Sequence, residues 1–425
     1  MVAVVALLGV VAVGDAAAAV TERVNVSSAG IQSNGTDDTE MAISADGRYV
    51  AFVSDGTTLV SGDTNKASDV FMRDRVTGTT ERVSVSSSGE QANGSSGQVG
   101  ISADGRYVAF VSAATNLVAR DTNHTYDVFV RNLKTDRTLR VSVSSTGAQA
   151  NHSSFDPAIS ADGRVVAFDS AATRLVAGDT NQVRDVFVHN RATGRTERIS
   201  VSSAGVQALR RDSSSPGVSA DGRLVVFESG ARNLVSGDRN HLDDIFVHNR
   251  VTGRTKPMSV SSTGWGLQGG IVPTISGDGR FVAFDSASAH LVSGDTNRSE
   301  DVFVRDRATG TTRRVSVSST GVQGNEGCGL SAISADGRFV AFASLASNLV
   351  AADTNEFGDV FVRDRVSGTT RRVSVSSPGG QANDHSDDPD ISADGRFVGF
   401  WSSASNLVAG DTNGNPDIFL RGPLP

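Results

Sequence analysis

Seven times the chain sets out Asp-x-Asn-x-x-x-Asp, and oxygen-bearing side chains at alternate positions are the groups that hold a hard cation such as Ca²⁺. The sets are Asp63/Asn65/Asp69, Asp121/Asn123/Asp127, Asp179/Asn181/Asp185, Asp238/Asn240/Asp244, Asp295/Asn297/Asp301, Asp353/Asn355/Asp359 and Asp411/Asn413/Asp417. The last copy, DTNGNPD, adds Asn415 as a further oxygen ligand. Calcium in these loops is one expectation. The other is that they only fold themselves: Asp and Asn side chains bond their own backbone in Asx-turns, and the final Asp caps the strand that follows. Apolar residues at the fifth position of other copies (Ala67, Val183, Leu242, Phe357) favour that second expectation, as does the absence of a glutamate at EF-hand spacing.

Other chemistry is sparse. One loop departs from its siblings: where most read S-x-G-x-Q, one reads STGWGLQ and brings in Trp265, an aromatic face on which a sugar or ring could stack. Repeated Gln32, Gln91, Gln149, Gln207, Gln268, Gln323 and Gln381 are read as loop ties, and the repeated Ala/Gly-Asp-Gly-Arg as a turn. His189 and His248 share one strand position and are expected to face solvent. No Gly-x-Ser-x-Gly elbow occurs. Acids outside the repeat (Asp37, Asp38, Asp156, Asp387, Asp388, Asp390) would have to converge at a pore mouth to act as glycosidase-type carboxylates. Cys328 is the single cysteine, so no intrachain disulfide forms.

These residues recur because the whole chain repeats. The Asp of the Asp-Gly-Arg string stands at 46, 104, 162, 221, 278, 336 and 394, a period of 57 to 59 residues. Each period parses into four strands: a, ending in Ile-Ser as in PAIS (157–160); b, as in RYVAFVS (48–54); c, as in DVFMRDR (69–75); and d, as in TERVSVSS (80–87). Segment 21–34 is a strand d with no a, b or c before it, and the seventh repeat has a, b and c but no d. The fold expected is all-β: a seven-bladed β-propeller of four-stranded antiparallel blades, the last closed by the N-terminal strand. In such a meander the a–b and c–d turns share one face, and the long b–c and d–a loops share the other, where binding is expected.

The pattern Ile-Ser-x-Asp-Gly-Arg, then Val-Ala-Phe-x-Ser, then Asp-Val/Ile-Phe-Val-Arg resembles the WD-like propeller repeat of TolB-type proteins, over residues 21–425. The resemblance implies the propeller fold. TolB carries an additional N-terminal α/β domain, whereas here the apolar run goes directly into strand d. Residues 1–19 are expected to be a signal peptide, on an apolar run at 2–13 and Ala-x-Ala at Ala17–Ala19, and 20–425 the propeller. This run is too short to span a bilayer comfortably.

Net charge is −8, and only Lys66, Lys134 and Lys256 are lysines. The arginines are scattered, so no phosphate-tracking stripe forms and nucleic acid is not an expected partner. The lead expectation is a secreted or periplasmic, monomeric, non-catalytic binding module that takes a protein or glycan on its long-loop face. Beside it stand a propeller enzyme acting on an extracellular polysaccharide, for which acids converging at the pore mouth would speak, and a calcium-stabilised surface protein. Apart from calcium, no cofactor is expected.

Overall fold

The computed structural model describes residues 18–262 and 266–425, and every regular element among them is a strand. They form seven four-stranded antiparallel sheets, six of them running a-b-c-d in chain order. Blade 1, for instance, is Asp37–Ile43, Tyr49–Ser54, Asp69–Asp74 and Thr79–Arg82. The seventh sheet is assembled from both ends of the chain. Val20–Arg23 pairs with Asp417–Gly422 in the register Val20 to Gly422 and Arg23 to Phe419, completing the blade as strand d. Asn25 adds a side-chain bond of 2.6 Å to Asp417, and Val24 donates to the carbonyl of Ile418.

Strand b is buried almost throughout rather than on alternate residues, because neighbouring blades cover both of its faces. Where strand b meets strand c, phenylalanines pair directly across the ladder, as in Phe52–Phe71 and Phe110–Phe129, with centroids 5.8 and 5.7 Å apart. The core is divided into seven apolar clusters, each lying between two adjacent blades. Ala51, Val53, Val70 and Met72 of blade 1, for example, pack on Val108, Phe110 and Phe129 of blade 2. No blade buries its faces alone.

Two strand boundaries differ from expectation. Strand a is longer, as in Ser154–Ile159, and holds a β-bulge whose residue takes positive φ (Gln98 47°, Asp156 52°, Leu330 52°). Strand d is shorter and in six blades stops at an arginine. In blade 1 the N–H groups of Val83 and Ser84 both donate to the carbonyl of Val70, which ends the ladder, and the chain then folds back through a Val85–Gln91 bridge.

On the short-turn face the a–b turns are linked blade to blade by backbone hydrogen bonds of 2.9–3.1 Å. The belt runs from Ala45 through Ala103, Ala161, Ala220, Gly277/Asp278, Ala335 and Ala393, and returns to Ala45. Within each turn the aspartate acts locally: Asp46 accepts from Ser44 Oγ and from the N–H of Arg48. The Asp-Gly-Arg string is thus a turn.

Candidate functional site

The Asp-x-Asn loops open onto the face opposite that belt, and are fixed by strand c, strand d and the segment that follows strand d. In blade 2, Asp127 is wholly buried; Ser142 donates to its Oδ1 at 2.5 Å and Asn123 to its Oδ2 at 2.8 Å. Arg140, at the end of strand d, lies 2.9 Å from Asp121 and 3.0 Å from Asp127, bridging both carboxylates. The arrangement recurs with Arg82 between Asp63 and Asp69, Arg198 between Asp179 and Asp185, and Arg314 between Asp295 and Asp301. Arg372 bridges Asp353 and Asp359, and the closing strand supplies Arg23 to Asp411 and Asp417. Six of the seven Asn also turn their own loop: Asn65 Oδ1 accepts the N–H of Ala67, and Asn413 Oδ1 that of Asn415, whereas Asn355 Oδ1 has no partner among the described residues. Asn297 donates to Asp301 in the same way as Asn65 does to Asp69. Burial pushes the carboxyls of Asp69 and Asp127 up, against the opposing pull of serine, arginine and asparagine.

The bridging arginines were not singled out from the sequence. Their signal was present, as one arginine at the same place in six of the seven d segments. Most of the repeated glutamines tie the d–a loop to the Asp-x-Asn loop: Gln91 reaches Asp63 at 2.9 Å, and Gln149 reaches Thr122 at 2.7 Å. Gln268 does not, and bonds the Gly266 carbonyl instead.

The innermost strands surround a central cavity of about 310 Å³, lined by their bulges. Glu40, Asp156, Asp388 and Asp390 reach it from three blades, together with Gln98, Ser331 and apolar residues such as Val272 and Leu330. Three of the six acids outside the repeat therefore converge here. Gln98 clamps Asp156, donating to its Oδ1 at 2.6 Å and accepting its N–H at 3.0 Å. Asp390 accepts the N–H groups of Ile43 and Ile391, and burial pushes its carboxyl up to about 6.

Behind this lining stand acids that the repeat does not predict. At one position in strand b, blades 3, 4 and 5 carry Asp169, Glu228 and Asp285, whereas blades 1, 2 and 6 carry Val53, Val111 and Ala343. Glu228 accepts the N–H of the next blade's bulge residue Val272 at 3.1 Å, and Asp285 that of Leu330 at 2.7 Å. These bonds satisfy donors that the bulge removes from the ladder. Burial pushes the Asp285 carboxyl up to about 8. Asp169 is likewise raised by burial and by Asp156, with Arg184 at 3.6 Å opposing.

His189 and His248 are buried, not solvent-facing. Their Nδ1 atoms lie 2.9 Å from the Oγ1 atoms of Thr196 and Thr255, in the place where other blades put an arginine such as Arg131. Burial pushes His189 down to about 4 and lowers His248, so both are neutral near pH 7. Cys328 is buried 3.0 Å from Ser344 Oγ, and its thiol is pushed up to about 12. Trp265 lies outside the described residues, but the loop that follows it, Leu267–Ile271, lines a cavity of about 600 Å³ with Asp243, His290 and Glu300. The short-turn side is not featureless either: clefts of about 450 and 360 Å³ separate blades 1 and 2 and blades 6 and 7 there. Among the described residues no three His, Cys, Asp or Glu side chains group as a metal site, and no helix is long and apolar enough to cross a membrane.

The ring, its closure and its two unlike faces define a seven-bladed β-propeller. No protein-family model matches the sequence, and no curated protein does. Solved structures do match. An oligogalacturonate lyase in complex with manganese is 12% identical, aligned over 97% of this chain and 94% of its own, with a TM-score of 0.56. The propeller domain of the Trilobed protease from Pyrococcus furiosus is 12% identical over 91% and 93%, with a TM-score of 0.57. That domain is described as having an open velcro topology, whereas the present ring is closed by Val20–Arg23. TolB from Acinetobacter baumannii, whose repeat the sequence resembles, is also among the similar structures: 15% identity over 71% of this chain and 58% of TolB, with a TM-score of 0.41. The chain thus spans little more than half of that TolB. What these proteins share with it is the propeller fold.

Proposed function

We propose that the chain is a non-catalytic binding module of the cell envelope or exterior, taking a protein or glycan on its long-loop face. The observation that carries this reading is the cavity of about 600 Å³ beside Gly269 and Gly270, built by the one loop that departs from the repeat by an aromatic insertion. A periplasmic or secreted location is part of the same proposal and rests on the apolar segment 2–13 and the TolB-like repeat. Glycan and peptide arrays with wild-type protein and Trp265→Ala test it. The substitution should weaken binding by roughly 1–3 kcal/mol, the scale of one lost aromatic anchor, with an unchanged melting curve. Thr77→Ala, in a turn of the opposite face, should bind as wild type; a ligand mapped to those turns refutes the assignment of faces.

A second reading, a propeller enzyme on an extracellular polysaccharide, is favoured by one observation. Asp390, at about 6, lines the same cavity as Glu40, Asp156 and Asp388, and a carboxyl held near working pH suits general acid catalysis. The lining contains no lysine, arginine or histidine, so a polyanionic chain such as oligogalacturonate would be repelled there. Release of reducing ends from neutral glycans, lost in Asp390→Asn, would establish turnover in place of binding.

A further inference from the structure

Blade 4 breaks the Asp-x-Asn arrangement in one respect. Where six blades end strand d in an arginine, blade 4 has Arg254–Pro257, and Pro257 occupies the arginine's position. Proline brings neither charge nor donor. Asp244 keeps its other partners: Asn240 at 2.9 Å, Ser259 at 2.8 Å and the N–H of Gly269 at 2.9 Å. Asp238 keeps none. It is 6% exposed, and neither carboxylate oxygen has a hydrogen-bond or ion-pair partner among the described residues. A buried carboxylate without a counter-charge is costly, and the sibling blades show what satisfies this position, a guanidinium between two aspartates.

Asp238 also lines a cavity of about 500 Å³, and the loop that enters it departs from the repeat, reading ALRRDSS where blades 2 and 3 are entered through ANGSS and ANHSS. Arg210 and Arg211 of that loop and Arg232 of the b–c loop line the same cavity. One acidic group thus sits among three cationic ones. A ligand that satisfies both carries a cation for Asp238 and an anion for the arginines.

We propose that Asp238 and Asp244 receive the guanidinium of an external ligand whose carboxylate is held by Arg210, Arg211 and Arg232; its chemistry is that of arginine, free or at a peptide's C-terminus. The site is distinct from the cavity beside Gly270 and does not depend on the binding reading above.

The test is calorimetric titration of the full chain with L-arginine, supported by thermal shift. Wild type should bind saturably. Asp238→Asn should bind at least about tenfold more weakly, the scale of one lost charge-assisted hydrogen bond, while melting no lower, since it removes an unpaired buried charge. Pro257→Arg, which restores the guanidinium of the sibling blades, should block binding. Agmatine, which lacks the carboxylate, should bind more weakly than L-arginine. A short peptide ending in arginine that outcompetes L-arginine identifies a chain end as the source; the reverse order identifies the free amino acid. Equal binding by wild type and Asp238→Asn overturns the proposal. So does no binding at all, or calcium chloride giving the shift that Asp238→Asn abolishes while L-arginine gives none. If Pro257→Arg fails to fold, the Asp238→Asn comparison decides alone.

Discussion

A carboxyl raised to about 8, as in Asp285, stays protonated in the folded protein at pH values where the unfolded chain has already released the proton. The folded state then binds more protons between about 3.9 and 8, so this group's contribution is full at low pH and is lost as pH rises through its folded value. Asp285→Asn keeps an acceptor for the N–H of Leu330 but cannot ionise. The stability difference between variant and wild type should therefore grow in the variant's favour from pH 5 to pH 9, reaching on the order of a few kcal/mol. Urea midpoints across that range, flat in difference, would refute it. His189 acts in the opposite sense, losing stability as pH falls below about 6.5 towards its folded value of about 4, which is why the comparison is made by difference. Neither group was legible as buried from sequence. An aspartate in FVAFDS and a histidine in DVFVHN sit in strands whose two faces are both covered by neighbouring blades, and a single-strand pattern does not reveal the second cover.

At the scale of one blade, the unit of stability on the long-loop face is the Asp–Arg–Asp bridge joining strand d to the b–c loop. Arg140→Met should leave two buried carboxylates uncompensated and cost about 3–5 kcal/mol, read from urea melts. Because a guanidinium already lies between the two aspartates in six blades, calcium has to compete with it, and melting curves in millimolar calcium and in EDTA are expected to coincide. A bound ion at about 100 times its dissociation constant would instead add about 2.7 kcal/mol per site. The Asx-turn was legible in the Asp-x-Asn string, because Asn65 and Ala67 are two residues apart and the bond is local. The arginine was not, because it acts across 13 to 19 residues and its partner is identified only once strands c and d are paired in register.

For the whole molecule, the seven-fold count, the four strands and the completion of the last blade followed from the repeat, since an unpaired d at one end and a missing d at the other leave one economical solution. The bulges and the shortened strand d did not, because they depend on how seven wedges fit around one axis. Removing residues 20–26 should expose Asp417–Gly422 as a free edge and take away Arg23 from Asp411 and Asp417. Lower melting and association in sedimentation are expected; a truncated chain that stays monomeric with an unchanged midpoint would mean the ring holds without its clasp.

Val20 pairs with Gly422, and both lie at the end of their blade that carries the tight turns, where Leu424 bonds the carbonyl of Arg396. The two strand ends therefore leave the ring side by side on one rim. Anything joined to either end would be attached at that rim. That rim carries the belt of alanine turns and lies opposite the Asp-x-Asn loops, Asp238 and the cavity beside Gly270, so an attachment at either end would leave those sites on the far side.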